Sequence, residues 1–175
     1  QLVPVPAPAP QFQPDLEVFS QKITPRTKAV IINSPNNPTG VIYSEATIKE
    51  LAAILSRKQH ELGTDIYLIA DEPYRELVYD GAEVPYLTKY YENTIVGYSF
   101  SKSLSLPGER IGYLVIPSQA ADFENIVTAA NIATRILGFV NAPSLFQRII
   151  PKCLDAQVDI AAYNRNRELL YNGLI

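Results

Sequence analysis

The chain has 175 residues, a formal net charge of −3 with charges of both signs mixed along its length, and 47% hydrophobic residues. That is enough apolar material for one sizeable core, and the mixed charge disfavours nucleic acid or an anionic membrane surface as the main partner. One cysteine, Cys153, and one histidine, His60, exclude an internal disulfide and a Cys/His metal site.

Prolines alternate from Pro4 to Pro10. This is a polyproline II pattern, read as an edge segment over residues 1–14 rather than a docking motif. Asp15–Ile23 reads as a short amphipathic helix. Lys28–Ile32 is a buried strand that runs into Asn33-Ser34-Pro35-Asn36-Asn37-Pro38-Thr39-Gly40, a loop by its prolines, asparagines and glycine. Ser44 is the N-cap of a helix from about Glu45 to Glu61, with Ile48, Leu51, Ala52 and Leu55 on one face and Gly63 ending it. Ile66–Ala70 is a second buried strand that delivers Asp71-Glu72-Pro73-Tyr74 at its end, and residues 75–91 are loop-rich. Two further strands, Thr94–Tyr98 and Ile111–Ile116, bracket the stretch from Ser99 to Arg110. Helices follow over Ala121–Leu137 and about residues 143–170, the latter interrupted at Pro151. No internal repeat is visible.

Near-continuous apolar strands alternating with helices predict an α/β fold, a mostly parallel sheet with helices on both faces. In such sheets ligands lie beyond the carboxyl ends of the strands. Three strand ends carry unusual polar groups: Asn37; Asp71 with Tyr74; and Ser99 to Lys102. Serines alternate at Ser99, Ser101 and Ser103 around Lys102, and Arg110 follows eight residues after the lysine. A lysine amine withdrawn from water is a nucleophile. Hydroxyls and a guanidinium beside it suit a phosphate dianion. Together they point to an aldehyde-bearing phosphate cofactor held as a Schiff base, with pyridoxal phosphate the leading candidate. Two rival motifs fail. Tyr98-x-x-x-Lys102 has the spacing of short-chain dehydrogenases, but no G-x-G-x-x-G turn exists in the chain. Ser99-x-x-Lys102 fits penicillin-recognising enzymes, but their Ser-Asp-Asn and Lys-Thr-Gly elements are absent.

Ser34-Pro35-Asn36-Asn37-Pro38-Thr39-Gly40, Asp71-Glu72-Pro73-Tyr74, and Ser99-Phe100-Ser101-Lys102 followed by Arg110 resemble, in order and comparable spacing, the fold-type I pyridoxal-phosphate enzymes of the class I/II aminotransferase family. The resemblance implies part of the large domain of such an enzyme, with pyridoxal 5′-phosphate as cofactor. It implies that Lys102 forms the Schiff base and moves the substrate proton, and that Asp71 pairs with the pyridine nitrogen. Asn37 and Tyr74 would bond the ring oxygen; Ser99, Ser101 and Arg110 would hold the phosphate. The implied activity is transfer of an amino group between an L-amino acid and a 2-oxo acid. A carbon–sulfur β-lyase and a non-catalytic, cofactor-binding regulatory module are the alternatives. A homodimer is implied too, without nucleic-acid or membrane partners.

Each residue also has a plainer reading. Asp71 could cap a turn, Asn37 could be only a turn residue, Tyr74 could pack, and Ser101 could be a strand-end hydroxyl. Glu72 and Glu109 read as solvated or ion-paired, and Arg75 and Arg135 as surface ion-pairing residues. Tyr86, Tyr90 and Tyr91 read as packing or subunit-interface residues. His60 and Cys153 receive no role. Residues 1–142 are expected to belong to the cofactor-binding large domain, and 143–175 to lead towards a C-terminal small domain. The chain has no methionine and starts at Gln1, so it is expected to be a fragment, inactive by itself. The lone cysteine fits a reducing cytoplasm.

Overall fold

The structure is a computed structural model that describes residues 1–175. Its centre is a four-stranded sheet in the order β1-β2-β3-β4, formed by Ala29–Asn33, Tyr67–Asp71, Thr94–Ser99 and Gly112–Val115. The first three strands are parallel and β4 runs antiparallel to β3. The register sets Ile32 beside Ala70 beside Val96, and Val30 beside Leu68 beside Thr94. These residues face the core, which they share with Phe19 and Ile23 from the first helix region and with the apolar face of α2.

Helix α1 spans Leu16–Lys22 and α2 spans Glu45–Leu62. The Ser44 hydroxyl accepts from the Thr47 N–H to open α2, and Gly63, at φ 60°, closes it in the left-handed conformation that glycine adopts without a steric penalty. The expected face of Ile48, Leu51, Ala52 and Leu55 is buried, with Ile54 added to it. Full burial of each of the larger side chains contributes about 1.5–3 kcal/mol. The proline-rich segment is docked, not free: Val5 packs on this core, the Asp15 N–H bonds the Pro6 carbonyl at 2.9 Å, and Lys22 Nζ donates to the Pro4 carbonyl. Gln13 ties the segment to α2, its Oε1 accepting from Ser44 N–H and Thr47 Oγ1.

The other face of the sheet carries Ile31, Ile69 and Ile95 in one row. There α4, Phe123–Ile136, provides the second helical layer. Its start is pinned by Tyr67 Oη on the Ala121 carbonyl (2.9 Å) and by buried Asn93, whose Oδ1 accepts from the Ala121 N–H (2.8 Å). Along its length α4 stands off the sheet and buries no residue, which leaves a broad cleft between it and β3–β4. The helix expected over 143–170 is broken more widely than one proline suggests. It divides into α5 (Ser144–Ile149), a 3-10 turn over Ile150–Lys152, and α6 (Ile160–Leu174). No helix is long and apolar enough to cross a membrane.

Candidate functional site

The three polar strand ends meet at the carboxyl edge of the sheet. Asp71 ends β2, and Ser99 ends β3 directly opposite Gly112 of β4. Asp71, Ser99 and Arg110 line the same open cleft, about 1340 Å³, whose other wall is formed by α4 and the turn after it. From the loop after β1, Asn37 Nδ2 donates to Tyr74 Oη at 3.1 Å, joining residues 37 positions apart. Lys102 Nζ lies 5.6 Å from the centre of the Tyr74 ring and forms no ion pair. The lysine is not on the strand end itself, where the sequence put it. The chain turns after Ser99 into a one-turn helix, α3 (Phe100–Ser103), that carries Lys102 half-buried; Asn37, Tyr74, Ser101 and Lys102 are not among the residues lining the cleft.

The hydrogen-bond directions leave usable donors. Tyr74 Oη accepts from Asn37, so its own proton is not consumed in that contact. Ser99 Oγ accepts from the Ser101 N–H at 3.2 Å and donates to Ser101 Oγ at 2.7 Å, so the Ser101 hydroxyl proton remains to be given away. Arg110 adopts φ 51°, a left-handed conformation uncommon for a non-glycine residue and found at ligand clamps. Its guanidinium donates only to the Pro107 carbonyl, at 2.7 Å, which leaves most of its fork open. Partial burial pushes the Asp71 carboxyl up from the ordinary carboxylate range, and no cation of the chain pairs with it. Asp71 caps no turn.

Two features around this edge carry little signal in the sequence. Asn33, the last residue of β1, stands opposite Asp71 in the sheet register. Its Nδ2 donates to the Asp71 carbonyl (2.9 Å) and to Asp71 Oδ2 (3.3 Å), while its Oδ1 accepts from the Asn37 N–H (2.9 Å). Only the knowledge that β1 and β2 are neighbours in register could have singled it out. The second feature corrects a sequence expectation. Arg75 is not a surface residue: its side chain is 14% exposed and pairs at 2.7 Å with Glu72, itself 4% exposed. The guanidinium also donates to the Val84 and Pro85 carbonyls and lies 4.0 Å from the Tyr86 ring centre. This clamp fixes the turn between Asp71 and Tyr74. Burial pushes the Glu72 carboxyl up, and Arg75 opposes that shift.

The remaining residues stay outside the site, except Tyr98, which lines the cleft. Arg135 is exposed and forms no ion pair, contrary to the expectation of surface pairing. Tyr91 is buried, donates to the Ile66 carbonyl at 2.6 Å, and has its hydroxyl pushed up by burial. Tyr98 stacks on Tyr113 with ring centres 4.9 Å apart, bonds Ser103 Oγ, and is pushed up to about 12 by burial. Tyr90 bonds Glu45 and Tyr86 stacks on Arg75. His60 is exposed and Cys153 is a free thiol.

The family model described as aminotransferase class I and II matches residues 1–174. A crystal structure of an amino transferase from Eubacterium rectale superposes with a TM-score of 0.92 at 56% identity, over 97% of this chain and 43% of that one. The aspartate aminotransferase of Thermus thermophilus, solved with maleate, gives a TM-score of 0.78 at 31% identity over 94% of this chain and 42% of its own. Among curated proteins, the probable aspartate/prephenate aminotransferase of Thermus aquaticus is 36% identical over 165 residues, 93% of this chain and 41% of that protein. The chain thus spans about two-fifths of the length of the relatives it matches.

Proposed function

The chain belongs to the class I and II aminotransferases, and from that premise we propose that it forms the cofactor-binding part of an enzyme exchanging an amino group between an L-amino acid and a 2-oxo acid. The family is generally dependent on pyridoxal phosphate, and the residues present fit that group. The observation that carries the reading is the single cleft lined by Asp71, Ser99 and Arg110, with the Asn37–Tyr74 pair tied to Asp71 through Asn33. An elevated carboxyl without a cationic partner suits a protonated ring nitrogen. The free Tyr74 proton and the remaining Asn37 amide hydrogen suit the ring oxygen, and the Ser101 hydroxyl and open Arg110 fork suit the phosphate. When bound, the cofactor supplies an aldehyde for the amino group and a cationic ring that withdraws electrons from the substrate α-carbon.

The chain's own residues then have separate tasks. Asp71 holds the proton on the ring nitrogen. Asn37 and Tyr74 orient the ring by its oxygen, and Ser99, Ser101 and Arg110 anchor the opposite end. Lys102, next to Tyr74 and on a short helix rather than a buried strand, takes the proton from the amino acid's α-carbon and returns it to the adjacent position. Residues 1–142 belong to the large domain in this reading, and 143–175 lead towards a small domain. The free Cys153 thiol is consistent with a cytoplasmic protein. The test is borohydride reduction of the intact protein with pyridoxal phosphate, followed by peptide mapping and assay with amino and 2-oxo acids, aspartate first because the relatives are named for it. A cofactor adduct on the Lys102 peptide and turnover dependent on a 2-oxo acid are expected. Ammonia release without any 2-oxo acid would refute transamination, and absence of the adduct would refute the site.

A further inference from the structure

We propose that Asn33 is a positioning residue for the cofactor site, one side chain that holds the Asp71 carboxylate and the Asn37 amide in fixed relation to each other. The inference rests on the reading of Asp71, Asn37 and Tyr74 as cofactor contacts. Asn33 reaches Asp71 through Nδ2 and the Asn37 backbone through Oδ1. Its neighbours fix which end of the amide is which: two acceptors lie on the Asp71 side and an N–H on the Asn37 side. From Asn37 the chain of contacts continues to Tyr74 Oη at 3.1 Å. A single planar amide therefore sets the groups on the ring-nitrogen side and on the ring-oxygen side of the cleft.

The residue type follows from the geometry. Aspartate of the same shape keeps the acceptor for Asn37 but offers Asp71 no donor. Alanine keeps neither. The bond to Asp71 engages only Oδ2, and Oδ1 accepts nothing from the chain, so it remains available to a ligand. Apart from Asp71 itself, the charged groups at this edge are Glu72, next in the chain and already paired with Arg75, the Lys102 ammonium near Tyr74, and the Arg110 guanidinium, which lines the same cleft without pairing with Asp71. Nothing charged on β1 competes with Asn33 for Asp71.

The experiment measures pyridoxal phosphate affinity of the intact protein as a function of pH, for the parent and for Asn33→Ala, Asn33→Asp and Asp71→Ala, with the melting temperature of each cofactor-free variant as a fold control. Asn33→Ala is expected to weaken affinity by roughly 10-fold or more, the cost of a lost hydrogen bond to a charged group. Asn33→Asp sets two carboxylates side by side, so the acid limb of the affinity profile should move to higher pH. Asp71→Ala should weaken binding and remove that limb. Parent-like affinity and an unmoved limb in both Asn33 variants, alongside a weakened Asp71→Ala, would overturn the Asn33 role alone. Weakened Asn33→Ala with an unmoved limb in Asn33→Asp would reduce Asn33 to a structural residue and also overturn it. Unchanged affinity in Asp71→Ala would overturn the underlying site reading and this inference with it. If Asn33→Ala fails to fold, the isosteric Asn33→Asp profile decides.

Discussion

Replacing Gly112 by alanine should dismantle the phosphate end of the cleft. Gly112 pairs with Ser99 across the β3–β4 ladder and follows Arg110 by two residues. A Cβ there would sit 2.2 Å from the Tyr98 carbonyl oxygen and 3.2 Å from Ser99 Cα, where ordinary contact begins at 3.4 Å. Both obstacles are backbone, so no rotamer relieves the overlap and β4 must move by about 1 Å. Overpacking of this kind costs roughly 1–3 kcal/mol of stability. A displacement of about 1 Å in positioning groups costs on the order of 100-fold in a site's performance. Urea denaturation of the intact protein reads the first effect. The ratio of affinities for pyridoxal phosphate and phosphate-free pyridoxal reads the second: the preference for the phosphate should fall on the order of 100-fold while pyridoxal binds nearly as before. A Gly112→Ala variant within about 0.5 kcal/mol of the parent, the range of a neutral surface change, and retaining its phosphate preference would refute this account of the β3–β4 edge.

Arg75→Ala strands the Glu72 carboxylate in a buried position and should cost about 3–5 kcal/mol in denaturant unfolding; a loss below about 1 kcal/mol, the size of a surface pair, would show that the clamp is solvated. Asp71→Asn tests the raised Asp71 carboxyl in the cofactor-free protein. Its carboxyl is raised in the folded chain, which therefore holds the proton more tightly than the unfolded chain does. The parent's stability should fall as pH rises from the unfolded value, about 3.9, through the raised one. Asp71→Asn should escape that fall; thermal melts in which the parent instead gains on the variant across this window would reverse the assignment. Lys102→Ala should lose the borohydride-trapped adduct and nearly all turnover while melting like the parent, since the lysine forms no ion pair in the chain. Light scattering of the intact protein should give a homodimer, and a monomer would contradict that proposal.

Much of the fold was legible because it is written in local chemistry. The Ser44 cap, the Gly63 stop and the spacing of Ile48, Leu51, Ala52 and Leu55 specify α2 to within a residue. The β-branched runs specify the strands, whose ends the structure shifts by only a residue or so. What eluded local reading has a common cause, dependence on partners distant in sequence. Arg75 looks like a solvated arginine until Glu72 and the carbonyls of Val84 and Pro85 close around it. The long break between α5 and α6 is not visible in Pro151 alone. Residues from Ala121 onward read as an ordinary helix, yet α4 rests on Asn93 and Tyr67 at its start and stands clear of the sheet thereafter.

By itself the sequence determined the element order, the α/β class and the identities of the groups at three strand ends, because capping, periodicity and residue chemistry act over a few positions. Tertiary structure decided how those groups stand to one another. The antiparallel return of β4 brings Arg110 beside Ser99, and the pairing of β1 with β2 sets Asn33 against Asp71. The Asn37–Tyr74 bond closes a gap of 37 residues. Distances across a sheet follow from register and strand order, and these depend on how the whole core packs rather than on any local run of residues.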